Sequence, residues 1–340
     1  MVMSTKQKFY GRHLLTLMDY TGEEIAELLE LSAKLKQERA SGKEVRRLEG
    51  LGIALIFEKD STRTRCAFEL AAAHQGASTT YLGPSGSHIG TKESIADTAR
   101  VLGGMFDAIQ YRGFGQSIVE ELAKHAGVPV YNGLTDQFHP TQILADFLTM
   151  QETCEKPLNQ QTLVFLGDAA NNMANSLMVG SAKMGIDFRL AGPSSLRPDP
   201  KLVEKCQEMC EKSGGKLLLT EDPKEAVRGA DFLCADVWLS MGQPKEEWEQ
   251  RVSQLMPYRV DMPLMEATGR SDTRFLHCLP AYHDTNTPAG KLFHDQHGLC
   301  GIEVSDDVFE SERSVVFQES ENRLHTIKAL LVATLCGEES

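Results

Sequence analysis

Apolar runs of strand length alternate with amphipathic stretches of helix length along almost the whole chain. "GIALIFE" at 52–58 is a continuous apolar run closed by polar residues, the pattern of a buried strand. "TRTRCAFELAAAHQG" follows with helical spacing, and Gly76 ends it. "STTYLG", "DAIQYRG" and "VPVYNG" predict further strands. Between and after them, "KESIADTARVLGGM", "GQSIVEELAKHAG" and "HPTQILADFLTMQETC" predict helices, the last with Pro140 in its first turn. The polar piece "EKPLNQQ" (155–161) then interrupts the pattern and is the best candidate for a domain boundary. Beyond it the alternation restarts, from "TLVFLGD" and "NNMANSLMVGSAKMG" through "DFLCADVW" and "FLHCLPA" to a long amphipathic ending, "SENRLHTIKALLVATLC". Short connections between alternating elements predict an α/β fold of two doubly wound parallel-sheet domains, residues 1–154 and 155–318.

Length agrees, since 340 residues exceed what one hydrophobic core usually serves. A formal net charge of −13 disfavours nucleic acid and anionic membrane as partners, so any anion site must be built locally against the field. No apolar run approaches the ~20 residues that span a bilayer. The start of the chain carries no apolar stretch followed by a small-residue cleavage site, so no secretory leader is expected. Eight cysteines without a CxxC fit reduced thiols and a cytoplasmic protein.

The candidate chemistry sits at strand ends. After strand 52–58, Ser61 is a natural N-cap, and the helix start behind it offers free N–H groups to an anion. Ser61 to Arg65 bring three hydroxyls and two guanidiniums, a set suited to phosphate. The plainer alternative is a capped helix whose arginines pair with Glu58, Asp60 or Glu69. Arg112 ends strand 107–112, and His139, Thr141 and Gln142 follow strand 128–132, so Arg63, Arg112 and His139 are expected to converge in a parallel sheet. "GPSGSHIGTKES" (83–94) lacks the Gly-Lys-Ser/Thr run of a P-loop and reads as a loop presenting His88 and Lys92. In the second half Gly167 lacks the later glycines of a dinucleotide fingerprint, and Asn171 and Asn172 offer amides instead. "DVWLSMGQ" (236–243) and "HCLP" (277–280) end two further strands. Metal binding by His277 and Cys278 is disfavoured there, because successive strand residues point to opposite faces.

Taken together and in order, "STRTR", "YRG", "HPTQ", "GDAANNMANS", "DVWLSMG", "HCLPAYHD" and "ENRLHTIKA" resemble the ornithine carbamoyltransferase family over nearly the full chain. The resemblance implies that Ser61, Thr62, Arg63 and Thr64 hold the phosphate of carbamoyl phosphate. Arg112, His139 and Gln142 would hold and polarise the carbamoyl group, with Arg323 closing the site from a final helix, 319–340, that packs back on the first domain. Asn172, Asp236, Ser240 and Met241 would meet the amino-acid end of ornithine, and Cys278 with Leu279 would lie near the reacting amine and the carbamoyl group. Arg63, Arg112, His139 and Cys278 are the catalytic candidates. His88 stands where many members carry Gln; in the family this residue reaches carbamoyl phosphate from the neighbouring subunit, which implies a homotrimer or a multiple of trimers. No metal or organic cofactor is implied, since carbamoyl phosphate is already activated. The competing readings are a nicotinamide dehydrogenase, a non-catalytic carbamoyl phosphate-binding homologue, and a carbamoyltransferase for another amine. The same chemistry would also serve citrulline breakdown in the reverse direction.

Overall fold

Nine parallel strands in two sheets carry the chain of this computed structural model, which describes residues 8–84, 93–238 and 245–337. It divides into two units, residues 1–148 with 321–340, and residues 149–320.

In the first unit α1 (Gly22–Ala40) precedes β1 (Gly52–Phe57), α2 (Thr62–His74), β2 (Ser78–Leu82), α3 (Ile95–Gly103), β3 (Ala108–Arg112), α4 (Gln116–Ala126), β4 (Val130–Leu134) and α5 (Pro140–Thr153). The strand order is β2–β1–β3–β4. Strand side chains alternate between faces. Accordingly Ala54, Ile56, Ile109 and Tyr111 pack with Ala99 of α3 and with Val119 and Leu122 of α4. Phe68 of α2 stacks with Tyr131 of β4, ring centroids 6.3 Å apart. Helix α1 was not singled out by its sequence pattern, yet it opens with a full capping box, in which Thr21 and Glu24 each accept the other's backbone N–H.

The second unit continues with β5 (Thr162–Leu166), α6 (Asn172–Met184), β6 (Asp187–Ala191), α7 (Pro200–Ser213), β7 (Lys216–Thr220), α8 (Pro223–Val227) and β8 (Phe232–Ala235). Then come α9 (Lys245–Leu255), α10 (Met262–Glu266), β9 (Arg274–His277), α11 (Pro288–His297), α12 (Asp306–Phe309) and α13 (Val316–Leu335). Its strand order is β7–β6–β5–β8–β9, over a core that includes Val164, Leu166, Leu233, Trp238 and Phe275. From Glu321 onward α13 belongs to the first unit. There the Tyr131 and Thr334 hydroxyls meet at 2.6 Å, and the fully buried Lys328 ammonium is paired with Glu44. The expected return of the C-terminal helix is thus observed.

Each strand order reverses once, between β1 and β3 in the first sheet and between β5 and β8 in the second. Chain leaving neighbouring strands in opposite directions opens a crevice at such a switch point, which is where ligands bind in these sheets. All eight cysteines are free thiols, and among the described residues no helix is long and apolar enough to cross a membrane.

The β1 and β3 ends are tied together by a 2.8 Å bond from the Glu58 N–H to the Arg112 carbonyl and by the Tyr111 hydroxyl, which donates to Glu58 at 2.5 Å. Gly113 makes this possible, because a Cβ there would strike both Tyr111 Oη and Glu58 Oε2. Gly113→Ala is expected to destabilise the protein by about 1–3 kcal/mol through overpacking. An unchanged midpoint in thermal unfolding would contradict that tie.

Candidate active site

The crevice between β1 and β3 is lined by α2. Ser61 lies in the extended region (φ −160°, ψ 120°) and its Oγ accepts the Thr64 N–H at 3.2 Å, so the helix begins with a satisfied cap. Thr64, fully buried, is the focus of the arrangement. Its Oγ1 accepts from Arg112 Nη1 at 3.2 Å and from Arg323 Nη2 at 2.7 Å. Those bonds occupy both lone pairs of the hydroxyl oxygen, which leaves its hydrogen as the group it can offer to a ligand.

His139, almost wholly buried at the start of α5, faces the same cations. Burial pushes its pKa well below the ordinary imidazole value, and the charges of Arg323, Arg112 and Arg63 push it the same way. His139 is therefore neutral near pH 7, able to donate or accept one hydrogen bond through each ring nitrogen; its Nδ1 lies 3.5 Å from Thr141 Oγ1. Gln142, one turn on and also buried, donates from Nε2 to Asp146 at 2.8 Å. The expected convergence of Arg63, Arg112 and His139 is present, and α13 adds Arg323 from far along the chain.

One guanidinium of the five-residue run is turned elsewhere. Arg65 donates to Glu69 at 2.9 Å and stacks on Tyr81, 3.8 Å from the ring centroid, so the plainer ion-pair reading holds for it. Thr62 is exposed at the helix start. His88 and Lys92 lie outside the described residues, as do Ser240 and Met241.

The crevice of the second sheet lies between β5 and β8. Asn171 caps α6, its Oδ1 accepting the Ala174 N–H at 2.8 Å, and Asn172 is the first helical residue. Ala235 of β8 pairs in register with Leu166 of β5 on one side and with His277 of β9 on the other. Asp236 and Cys278, the next residue of each chain, consequently sit side by side: the Cys278 thiol donates to Asp236 Oδ1 at 3.3 Å. Asp236 also accepts its neighbour Val237 N–H at 2.8 Å and the Asn171 side-chain amide at 3.2 Å. Burial raises the Asp236 pKa, with Glu303 adding to the rise while His277, the Cys278 thiol and the Val237 N–H oppose it.

Leu279 follows in a left-handed conformation (φ 55°), unusual for a branched residue and held by its own N–H, which donates to His277 Nδ1 at 3.0 Å. That acceptance places the His277 hydrogen on Nε2, 3.4 Å from the buried Glu303. The His277 N–H in turn donates to Glu319 at 2.8 Å. The sequence pattern drew attention to neither glutamate; each is a buried carboxylate in an otherwise apolar or helical stretch, a signal only in retrospect. The opposite-face expectation for His277 and Cys278 does not apply at this point, because β9 ends at His277 and the chain turns; donor atoms of Asp236, His277 and Cys278 lie within 4.8 Å of one another.

Two domain families match this chain. The carbamoyl-P binding domain of the aspartate/ornithine carbamoyltransferases covers residues 12–152, and their Asp/Orn binding domain covers residues 159–334. Among solved structures, the ornithine carbamoyltransferase from Pyrococcus furiosus is 41% identical, with 97% of this chain and 99% of that one aligned and a TM-score of 0.89. The one from Gloeobacter violaceus is 34% identical, over 96% and 99% of the two chains, with a TM-score of 0.81. The anabolic ornithine carbamoyltransferase from Campylobacter jejuni is 34% identical, over 94% and 97%, with a TM-score of 0.83.

The cations around His139 give a titration prediction. At pH 6.5, where an ordinary imidazole is half protonated, His139 is expected to remain almost wholly neutral by NMR. Arg323→Met removes a positive neighbour that disfavours the imidazolium, so the His139 midpoint should rise while burial still holds it below 6.5. A wild-type midpoint at or above 6.5 would contradict the assignment.

Proposed function

We propose that this chain, which belongs to the aspartate/ornithine carbamoyltransferase family, transfers the carbamoyl group of carbamoyl phosphate to the δ-amine of L-ornithine, releasing L-citrulline and phosphate. In this reading residues 1–154 take carbamoyl phosphate, residues 155–318 take ornithine, and residues 319–340 return Arg323 to the first substrate. Ser61, Thr62, Arg63 and Thr64 hold the phosphate at the start of α2, where the helix dipole adds to the guanidinium charge. The observation that carries the choice of ornithine is the Asp236–Cys278 pair. A carboxylate and a thiol suit the ammonium and amine of a basic amino acid, whereas the second carboxylate of aspartate would meet like charge there. Asn172, Ser240 and Met241 complete the amino-acid side, with Leu279 beside the reacting group.

The reaction forms a C–N bond and breaks the bond from the carbamoyl carbon to a phosphate oxygen. A free alkyl ammonium has a pKa near 10.4, so ornithine must lose a proton from its δ-nitrogen before attack. Desolvation of the amine beside Cys278 favours that first loss, to solvent, and the second proton, shed by the nitrogen once the C–N bond has formed, passes to the departing phosphate. As the amine adds, negative charge gathers on the carbamoyl oxygen. The Thr64 hydroxyl hydrogen, the Arg112 guanidinium and an N–H of neutral His139 meet it from positions fixed before the reaction. Gln142, clamped by Asp146, positions the carbamoyl amide. The assembly in this reading is a homotrimer or a multiple of trimers in the cytoplasm, with His88 supplied by a neighbouring subunit; light scattering at a monomer mass would refute it.

Arg63→Met is expected to cut citrulline formation by about 10²–10³-fold while leaving the thermal midpoint within a few degrees. Activity near wild type would remove Arg63 from the phosphate site. Rates with ornithine, putrescine and aspartate as acceptors decide the amine, and preference for aspartate would sink the ornithine reading.

A further inference from the structure

Asn171 does two things at once. Its Oδ1 accepts the Ala174 N–H and so starts α6, the helix that presents Asn172. Its Nδ2 donates across the β5/β8 switch point to Asp236 Oδ2 at 3.2 Å. An ionised carboxylate offers about four lone-pair positions. On Asp236, Oδ1 uses two of them, for the Val237 N–H and the Cys278 thiol, and Oδ2 gives one to Asn171. The fourth is left for a ligand. Asn171 therefore helps set which way that last lone pair faces: its amide grips the carboxylate through Oδ2, and without it the carboxylate plane is held through Oδ1 alone, by one backbone N–H and a weak thiol donor.

We infer that Asn171 is a positioning residue that aims Asp236 at the ammonium of the amino-acid substrate and locks the strand end carrying Asp236 to the helix start carrying Asn172. The inference rests on the reading of Asp236 as an ornithine partner. A merely structural Asn171 would matter only as a helix cap, and serine caps a helix about as well as asparagine.

Asn171→Ser separates the two roles, since it keeps the cap and deletes the amide donor. The expected result is a KM for ornithine raised about tenfold, with the KM for carbamoyl phosphate and the thermal midpoint little changed. Asn171→Asp also keeps the cap, but turns a carboxylate toward Asp236. Like charge raises the Asp236 pKa further, so the acidic limb of kcat/KM for ornithine should move to higher pH. The other groups facing Asp236, namely His277, Cys278, Glu303 and the Val237 N–H, are the same in both variants, so the displacement belongs to position 171. Asp236→Asn is the control for the underlying reading. If it leaves the ornithine KM unchanged, Asp236 is not an ornithine partner and the role of Asn171 falls with it. If Asp236→Asn raises that KM while Asn171→Ser and Asn171→Asp both behave as wild type, the ornithine reading stands and the positioning role is overturned.

Discussion

A cluster of guanidinium groups held around one threonine hydroxyl is the constraint on which the first unit is built. Arg112 and Arg323 converge on Thr64 Oγ1, and with Arg63 they disfavour any positive charge on His139. Like charges in a buried place repel, and a chain with a net charge of −13 has carboxylates enough to neutralise them elsewhere. Their concentration where α2 begins makes sense as an anion receptor. The dipole of α2 and its capped first turn add positive potential at the same place, so in the proposed reading a phosphate would meet donors that need no rearrangement.

The second unit answers with the opposite chemistry at the corresponding place in its own sheet. Where the first crevice holds guanidiniums, the β5/β8 crevice holds a carboxylate braced by a thiol, a backbone N–H and a side-chain amide. Parallel strands in register put the residues just past Ala235 and His277 side by side, so the Asp236–Cys278 pair follows from sheet geometry. Behind it, Glu319 holds the His277 backbone and His277 holds Leu279 in its strained conformation, with Glu303 buried alongside. The hydrogen bonds that are made, from the His277 N–H to Glu319 and from the Leu279 N–H to His277, rigidify what they touch. The group thus braced is the turn carrying Cys278 and Leu279.

Much of this was legible in the chain because it is local. Strand and helix periods depend on neighbours a few residues apart, and so do the caps at Ser61 and Asn171. Parallel strands set their C-terminal ends side by side, which already puts Arg63, Arg112 and His139 on a common edge. What local pattern could not rank was which arginine of the run faces the crevice. Positions 63 and 65 lie about 200° apart around a helix, so only one of them can, and the phase is set by how α2 packs on the sheet. Arg65 took the outer face and its partner Glu69.

The amino-acid sequence by itself determined the elements, their parallel alternation and the chemical types gathered at strand ends, since each of these is written in residues close together along the chain. Only the tertiary structure decided the partnerships that span it: Arg323 with Thr64, Lys328 with Glu44, Asn171 with Asp236, and His277 beside Glu303. Such pairs depend on which strands are neighbours and in what register. That order is chosen by burial of the whole core, a sum over the fold that no short window of sequence contains.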